Sequence, residues 1–145
     1  MSEVETLNDR VQSLLWMKTD NEQDVIAALD NLVKEFGVDE VQRLCLPRSR
    51  HKNLLIHEFV RLGLFKTIEY AVRELGFNIN VKREVDGCTP LHLAYWYEKP
   101  NIGELLKHFQ ADVTIANNYG ESVTDLERTR EGMTNMVWLN AGEIY

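Results

Sequence analysis

The 145-residue sequence predicts an all-α fold in which short helices stack as a helical solenoid. Apolar residues recur at three- and four-residue spacing along most of the chain, which is typical of helices with one buried face. No segment shows sustained alternation of apolar and polar residues, and the best strand candidate, residues 77–81, contains two Asn residues, which are rare in strands. The second half of the chain also matches itself at an offset of 33 residues, a period typical of stacked helical units.

Residues 1–46 are predicted to form an N-terminal helical cap or a divergent repeat, because they do not show the repeated pattern. The apolar spacing predicts a helix over residues 3–17 and a second helix that begins at a capping box of Asp20 and Gln23. Gly37 ends that second helix, since glycine is a common helix stop. A third, shorter helix is predicted directly after it.

The repeat is clearest in residues 86–94, which read Asp-Gly-Cys-Thr-Pro-Leu-His-Leu-Ala. At the offset of 33, residues 86–89 align with residues 119–122, and both segments carry a glycine followed two residues later by a hydroxyl residue. Residues 86–94, with residues 102–114 after them, resemble the ankyrin repeat family. In that family Asp-x-x-Gly-x-Thr-Pro-Leu-His-x-Ala opens the first helix and Gly-Ala-Asp-Val-Asn closes the second.

The neighbouring copies are weaker but in register. Leu55-Ile-His57 aligns with Pro-Leu-His of the clear repeat, and Gly76-Phe-Asn-Ile-Asn80 resembles the closing motif. The resemblance therefore covers residues 52–140 as about three repeats, with the clear one at 86–118, in one continuous domain with the N-terminal helices. Residues 141–145 are a C-terminal tail.

Elementary helix chemistry agrees with this pattern. Thr89 can cap the helix that Pro90 begins, because a hydroxyl accepts an amide hydrogen bond and proline has no amide to lose at the first position. Ser122 can repeat the cap. Gly63 stands where the first helix of a repeat ends, a position that favours positive φ, whereas Glu98 replaces glycine at the equivalent place and should cost energy there.

Composition and charge favour a protein partner. The chain has 16 Lys and Arg residues against 23 Asp and Glu residues, and its net charge of -7 disfavours nucleic acid and anionic membrane surfaces and favours a partner with a basic surface. The basic cluster at 48–52 is interpreted as a solvated loop, with nuclear import or phosphate binding as the alternatives. No signal peptide or membrane-spanning stretch is evident, so we expect a soluble intracellular protein of the cytoplasm or nucleus.

Catalytic and metal-binding motifs are absent from the sequence. It contains no phosphate-binding loop, no HExxH helix and no GxSxG elbow. Cys45 and Cys88 form no CxxC pair and are expected to be reduced thiols. Cys88 with His57 and His92 could suggest a metal or catalytic set, but the family resemblance implies that both histidines join neighbouring loops through hydrogen bonds. No catalytic residue, metal ligand, cofactor or small-molecule substrate is predicted.

The resemblance implies a continuous partner-binding surface on one side of the stack. Trp96 and Tyr97 occupy its variable helix positions, where they belong either to an interface or to packing between repeats. The expected function is that of an adaptor or regulatory subunit that binds a folded protein, and the alternative is a structural subunit of a larger assembly that also uses its N-terminal helices and residues 136–139. The predicted contact residues are Arg61, Leu62, Val85, Cys88, Trp96, Tyr97, Asn118, Tyr119, Glu121, Thr129 and Arg130.

Overall fold

A computed structural model of the chain describes residues 3–15, 21–44 and 53–136. These residues contain no strand, which confirms the all-α class, and they form eight helices. The helices are α1 (Glu3–Leu15), α2 (Glu22–Phe36), α3 (Val38–Arg43), α4 (Leu55–Leu62), α5 (Phe65–Arg73), α6 (Pro90–Trp96), α7 (Pro100–His108) and α8 (Val123–Met136).

Most of the helices lie in two rows. In the first row α4 contacts α6, and α6 contacts α8. In the second row α2 contacts α5, and α5 contacts α7. Two pairs of consecutive helices connect the rows, because α4 packs on α5 and α6 packs on α7. At the N-terminal side, α1 packs on α2, and α3 contacts both α2 and α4.

The core lies between these rows and continues into the N-terminal helices. All of residues 55–60 in α4 are buried, since that helix has neighbours on several sides. The largest fully buried side chains of the two rows include Phe59, Ile68, Leu93 and Leu106. Burial of such side chains supplies most of the free energy that holds stacked helices together. Among the helices that the structure describes, none has the length and apolarity needed to cross a membrane.

The second helix follows the prediction except at its first residue. Asn21 is the N-cap, with an extended backbone and a side chain that accepts a hydrogen bond from the Gln23 amide at 3.0 Å. The prediction that Asp20 is the cap was therefore wrong by one residue, because Asn21 has the extended conformation that an N-cap requires. Asp20 itself lies outside the described residues. Gly37 ends the helix as expected, with φ 88°.

Both hydroxyl caps of the repeat pattern are confirmed. The Thr89 hydroxyl accepts a hydrogen bond from the His92 amide at 3.3 Å, and Pro90 is the first residue of α6. At the start of α8, the Ser122 hydroxyl accepts from the Asp125 amide at 3.1 Å, and the Asp125 carboxylate accepts from the Ser122 amide at 3.3 Å. Each helix of the first row after α4 therefore begins with a satisfied side-chain cap.

Left-handed residues end the helices at the expected places. Gly63 ends α4 with φ 75°, and Glu98 follows α6 with φ 53°. After both residues, the next amide donates to the carbonyl five residues earlier at 2.9 Å, which is the Schellman arrangement. Glu98 thus keeps the left-handed conformation of the glycine that it replaces, although its substitution suggested a locally remodelled turn. Gln110 repeats this geometry after α7 with φ 67°, although the sequence analysis did not single it out.

Candidate functional site

Two buried histidines connect the first-row helices to the loops that follow them. His57 of α4 lies with Nε2 2.9 Å from the carbonyl oxygen of Cys88, and His92 of α6 lies with Nε2 2.8 Å from the carbonyl oxygen of Glu121. Each carbonyl belongs to the loop just before the next first-row helix. Both imidazoles therefore donate a hydrogen bond between neighbouring units, in agreement with the structural role expected from their position.

The second ring nitrogen distinguishes these two histidines. Nδ1 of His92 accepts a hydrogen bond from the Thr89 amide at 3.1 Å and lies 2.8 Å from the Thr89 hydroxyl. Nδ1 of His57 is buried and has no hydrogen-bond partner among the described residues. Leu54 occupies the position that Thr89 holds in the clear repeat, and its side chain has no hydroxyl to offer. Burial lowers the pKa of His57 to about 4.

Cys88 is not a surface residue. Its side chain is completely buried, so the prediction that it contacts a partner was wrong, because a side chain with no exposed area cannot reach another molecule. Burial raises the pKa of the Cys88 thiol to about 12, with a further effect from Asp86, and keeps it protonated at physiological pH. In the part of the chain that the structure describes, no three His, Cys, Asp or Glu side chains are arranged to hold a metal ion.

Most of the predicted apolar contact residues are exposed. Trp96 is 40% exposed, Tyr97 38% and Tyr119 74%, and Leu62 and Val85 are also exposed. Phe65 completes the set of exposed large apolar side chains among the described residues. The five exposed side chains that the sequence analysis also selected are called the apolar strip: Leu62, Val85, Trp96, Tyr97 and Tyr119.

Two members of the apolar strip lie on loops that touch each other. The Asn118 amide donates a hydrogen bond to the Asp86 carbonyl at 2.8 Å, which joins the loop of Val85 to the loop of Tyr119. Gly87 permits this close approach. A Cβ atom at that position would lie 2.4 Å from Oδ1 of Asn118, and the φ of 71° also favours glycine. Val85 and Tyr119 therefore lie on joined loops at the loop end of the first row.

The other three members lie at the opposite end of the first-row helices. Leu62 is the last residue of α4, Trp96 is the last residue of α6, and Tyr97 follows it. The two helix ends are close, since Nζ of Lys99 lies 3.4 Å from the position that a Cβ on Gly63 would take. A helix as short as α6 spans about 10 Å, so the two groups of the apolar strip are separated by roughly that distance.

A network of hydrogen bonds and ion pairs joins Arg61, next to Leu62 of the apolar strip, to the loop that carries Val85. The buried Glu58 carboxylate accepts from Asn53 Nδ2 at 2.6 Å through one oxygen, and from Arg61 Nε at 3.0 Å and Nη2 at 2.7 Å through the other. Asn53 Oδ1 accepts from Arg83 Nη1 at 2.9 Å. Arg83, itself buried, pairs with Asp86 through two hydrogen bonds of 2.8 and 2.7 Å and lowers the pKa of that carboxyl to about 2. The network fixes both Arg61 and the loop that carries Val85.

Sequence reasoning found only one end of this network. It selected Arg61 but missed Asn53, Glu58 and Arg83. Glu58 and Arg61 are three residues apart on a helix, a spacing that suggests an ion pair. Nothing in the sequence shows that Glu58 and Arg83 are buried, because that burial depends on contacts between residues about thirty positions apart.

The remaining predicted contact residues are placed as follows. Asn118 and Thr129 are exposed, and the Thr129 hydroxyl donates to the Asp125 carbonyl at 2.9 Å. Glu121 is half-buried, and its carbonyl is the acceptor for His92. The Arg130 side chain lies outside the described residues. So do Cys45, the basic cluster at 48–52 and the tail at 141–145.

Comparison with known proteins gives little further identification. No family model matches the chain, and no solved structure is significantly similar to it. One segment is similar to Alpha-latrotoxin-Lhe1a of Latrodectus hesperus, with 40% identity over 58 residues. That segment is 39% of this chain but only 4% of the length of the latrotoxin. These similarities establish no family, and the resemblance to ankyrin repeats stays a prediction based on the motif residues.

Proposed function

We propose that this chain is an ankyrin-repeat solenoid that binds a folded protein as an adaptor or regulatory subunit and has no catalytic activity. Two features of the fold support the repeat assignment. Helix pairs are stacked in two rows, and His57 and His92 make equivalent hydrogen bonds to the loops of the next unit. Both features are those that the Thr-Pro-Leu-His motif implies.

The apolar strip is the observation that carries the proposed function. Five large apolar side chains, two of them consecutive aromatic residues at the C-terminal end of α6, are exposed at positions where the repeat pattern expects contact residues. Exposed aromatic side chains are enriched among the residues that dominate binding energy. Apolar side chains exposed at both ends of the first-row helices therefore favour a protein-binding surface.

The polar surroundings of the strip add to this interpretation. Arg61 is exposed beside it and is fixed by Glu58, so little side-chain entropy is lost when a partner binds. Trp96, Tyr97 and Arg61 are the proposed energetic anchors. The net charge of -7 favours a partner with a basic surface at long range, and the cytoplasm or nucleus is the proposed location.

The test compares the wild-type chain with the double variant Trp96→Ala/Tyr97→Ala in affinity capture from a lysate of the source cell. We expect the variant to lose the partner while it keeps the helical circular dichroism signal and a cooperative melt. Phe65→Ala is the matched control, because Phe65 is similarly exposed but lies outside the strip. Equal retention of the partner by all three proteins would refute this site, and loss of the fold would assign both aromatic residues to the core.

A further inference from the structure

Two cations lie at the end of the first row that carries Leu62, Trp96 and Tyr97. The Arg61 side chain is 44% exposed, near the last residue of α4. The Lys99 ammonium stands beside Gly63, 3.4 Å from where a Cβ would be, and so lies at the C-terminal end of the same helix. The negative end of a helix dipole favours a cation at this place.

Arg61 is held in one orientation with donors left over. A guanidinium has five N–H donors, and Glu58 accepts hydrogen bonds from Nε and Nη2 only. Glu58 is buried, and its other oxygen is occupied by Asn53, so this carboxylate cannot turn away from Arg61. Within the described ranges, Nη1 of Arg61 has no hydrogen-bond acceptor, and the Lys99 ammonium forms no ion pair with a carboxylate. The site therefore offers a fixed fork of unused donors.

This site carries two cations, whereas the whole chain has a net charge of -7 and favours a basic partner. A fixed guanidinium matches the two oxygens of a carboxylate, and a partner that also packs on the exposed side chains of Leu62 and Tyr97 would exclude water and strengthen such a contact. Glu98 lies in the same turn and offsets part of the local positive charge, so selectivity comes from the geometry of the Arg61 donors and not from long-range attraction. A carboxylate is the ligand that satisfies these donors best.

We propose that the partner presents an Asp or Glu carboxylate to Arg61, next to apolar side chains that pack on Leu62 and Tyr97. This inference rests on the proposed function, and it specifies the partner's chemistry at one point of the strip. A partner can still be basic elsewhere, because a single carboxylate in an apolar surrounding is compatible with a basic surface around it.

The experiment uses the full chain as bait for a phage-displayed library of random peptides in which acidic and basic residues are encoded equally. Selected peptides are synthesised, and their Kd values are measured on the wild type, Arg61→Gln and Arg73→Gln. Arg73 is the matched control, an exposed arginine of α5 that is paired with Glu69 at 3.7 Å. We expect enrichment of Asp or Glu beside apolar residues, a Kd about tenfold higher for Arg61→Gln, and no change for Arg73→Gln.

Arg61→Lys keeps a cation beside the buried Glu58, so it protects the fold if Arg61→Gln does not express. It loses the planar fork, and we expect it to raise the Kd about threefold. Enrichment of Lys or Arg, or unchanged binding to Arg61→Gln and Arg61→Lys, would overturn the carboxylate proposal. If those same peptides are lost by Trp96→Ala/Tyr97→Ala, the proposed surface still stands. Peptides that bind that double variant normally would place the binding site outside the apolar strip and would refute the proposed function as well.

Discussion

The orphan nitrogen of His57 should be repairable by one substitution, Leu54→Thr. The backbone of Leu54 already has the conformation of the cap residue in the clear repeat, with φ -78° and ψ 168° against φ -88° and ψ 166° for Thr89. A threonine hydroxyl at position 54 would accept from the His57 amide and donate to Nδ1 of His57, as Thr89 does for His92. The substitution would therefore supply an N-cap and pair a buried acceptor at once.

The size of the effect follows from three contributions. An N-cap contributes about 1 kcal/mol, and pairing a buried polar atom contributes about 1 to 3 kcal/mol. Loss of the half-buried leucine side chain costs about 1 to 1.5 kcal/mol. The free energy of unfolding should thus rise by about 0.5 to 3 kcal/mol, which corresponds to about 2 to 9 °C in Tm for a domain of this size.

Urea and thermal unfolding followed by circular dichroism measure this change. Leu54→Val is the control, because valine has the shape of threonine without the hydroxyl and should be less stable than the wild type. The reciprocal variant Thr89→Val should lose about 1 to 2 kcal/mol, since it removes the cap of α6. If Leu54→Thr is no more stable than Leu54→Val, then Nδ1 of His57 is already satisfied in solution and the reasoning fails.

Three further predictions concern the same loops and helix ends. Folding lowers the pKa of His57 from 6.5 to about 4, so between pH 6.5 and pH 4 the unfolded chain binds a proton more readily than the folded chain. The free energy of unfolding should therefore fall by about 3 kcal/mol as the pH drops from 6.5 to 4. Urea titrations across this range should show a flatter slope for His57→Gln, and an unchanged slope would assign the dependence to another group. Gln110→Gly should raise the unfolding free energy by up to about 1 kcal/mol, because glycine removes the left-handed strain at φ 67°, and a Gln110→Ala variant that gains as much would contradict this reason. Gly87→Ala should lower the Tm by several degrees, since the new methyl would meet Oδ1 of Asn118 at 2.4 Å and the residue would have φ 71°, and wild-type stability would show that these loops can separate freely.

Local signals predicted the helices and many of their ends. Gly37, Thr89 with Pro90, and Gly63 act through the backbone conformation and hydrogen bonds of a few neighbouring residues, so their roles could be inferred from sequence. Gln110 shows the limit of that approach. Gln110 occupies the position of the glycine in the closing motif. The sequence does not show that this residue keeps the left-handed conformation typical of glycine, which is seen only from its φ of 67°.

The candidate surface was predictable in its apolar part and less so in its polar part. Contact positions taken from the repeat register are exposed at Leu62, Val85 and Trp96. The prediction for Cys88 was wrong because its side chain is buried in the core, although the residue lies in a loop. Its backbone carbonyl accepts a hydrogen bond from His57. The support of Arg61 by Glu58 and Asn53 could not be predicted, since the burial of those polar groups depends on the packing of several helices.

Stability and presentation of the surface are coupled in this fold, because the same short helices serve both. Arg61 follows His57 by four residues and Trp96 follows His92 by four residues, so α4 and α6 each place a loop-fixing histidine and a surface residue one turn apart. The loop fixed by His57 carries Val85, and the loop fixed by His92 carries Tyr119. A substitution that breaks either hydrogen bond should therefore release a surface side chain as well as lower stability. The surface is preorganised by the contacts that hold the stack together, and preorganisation reduces the entropy that binding must overcome.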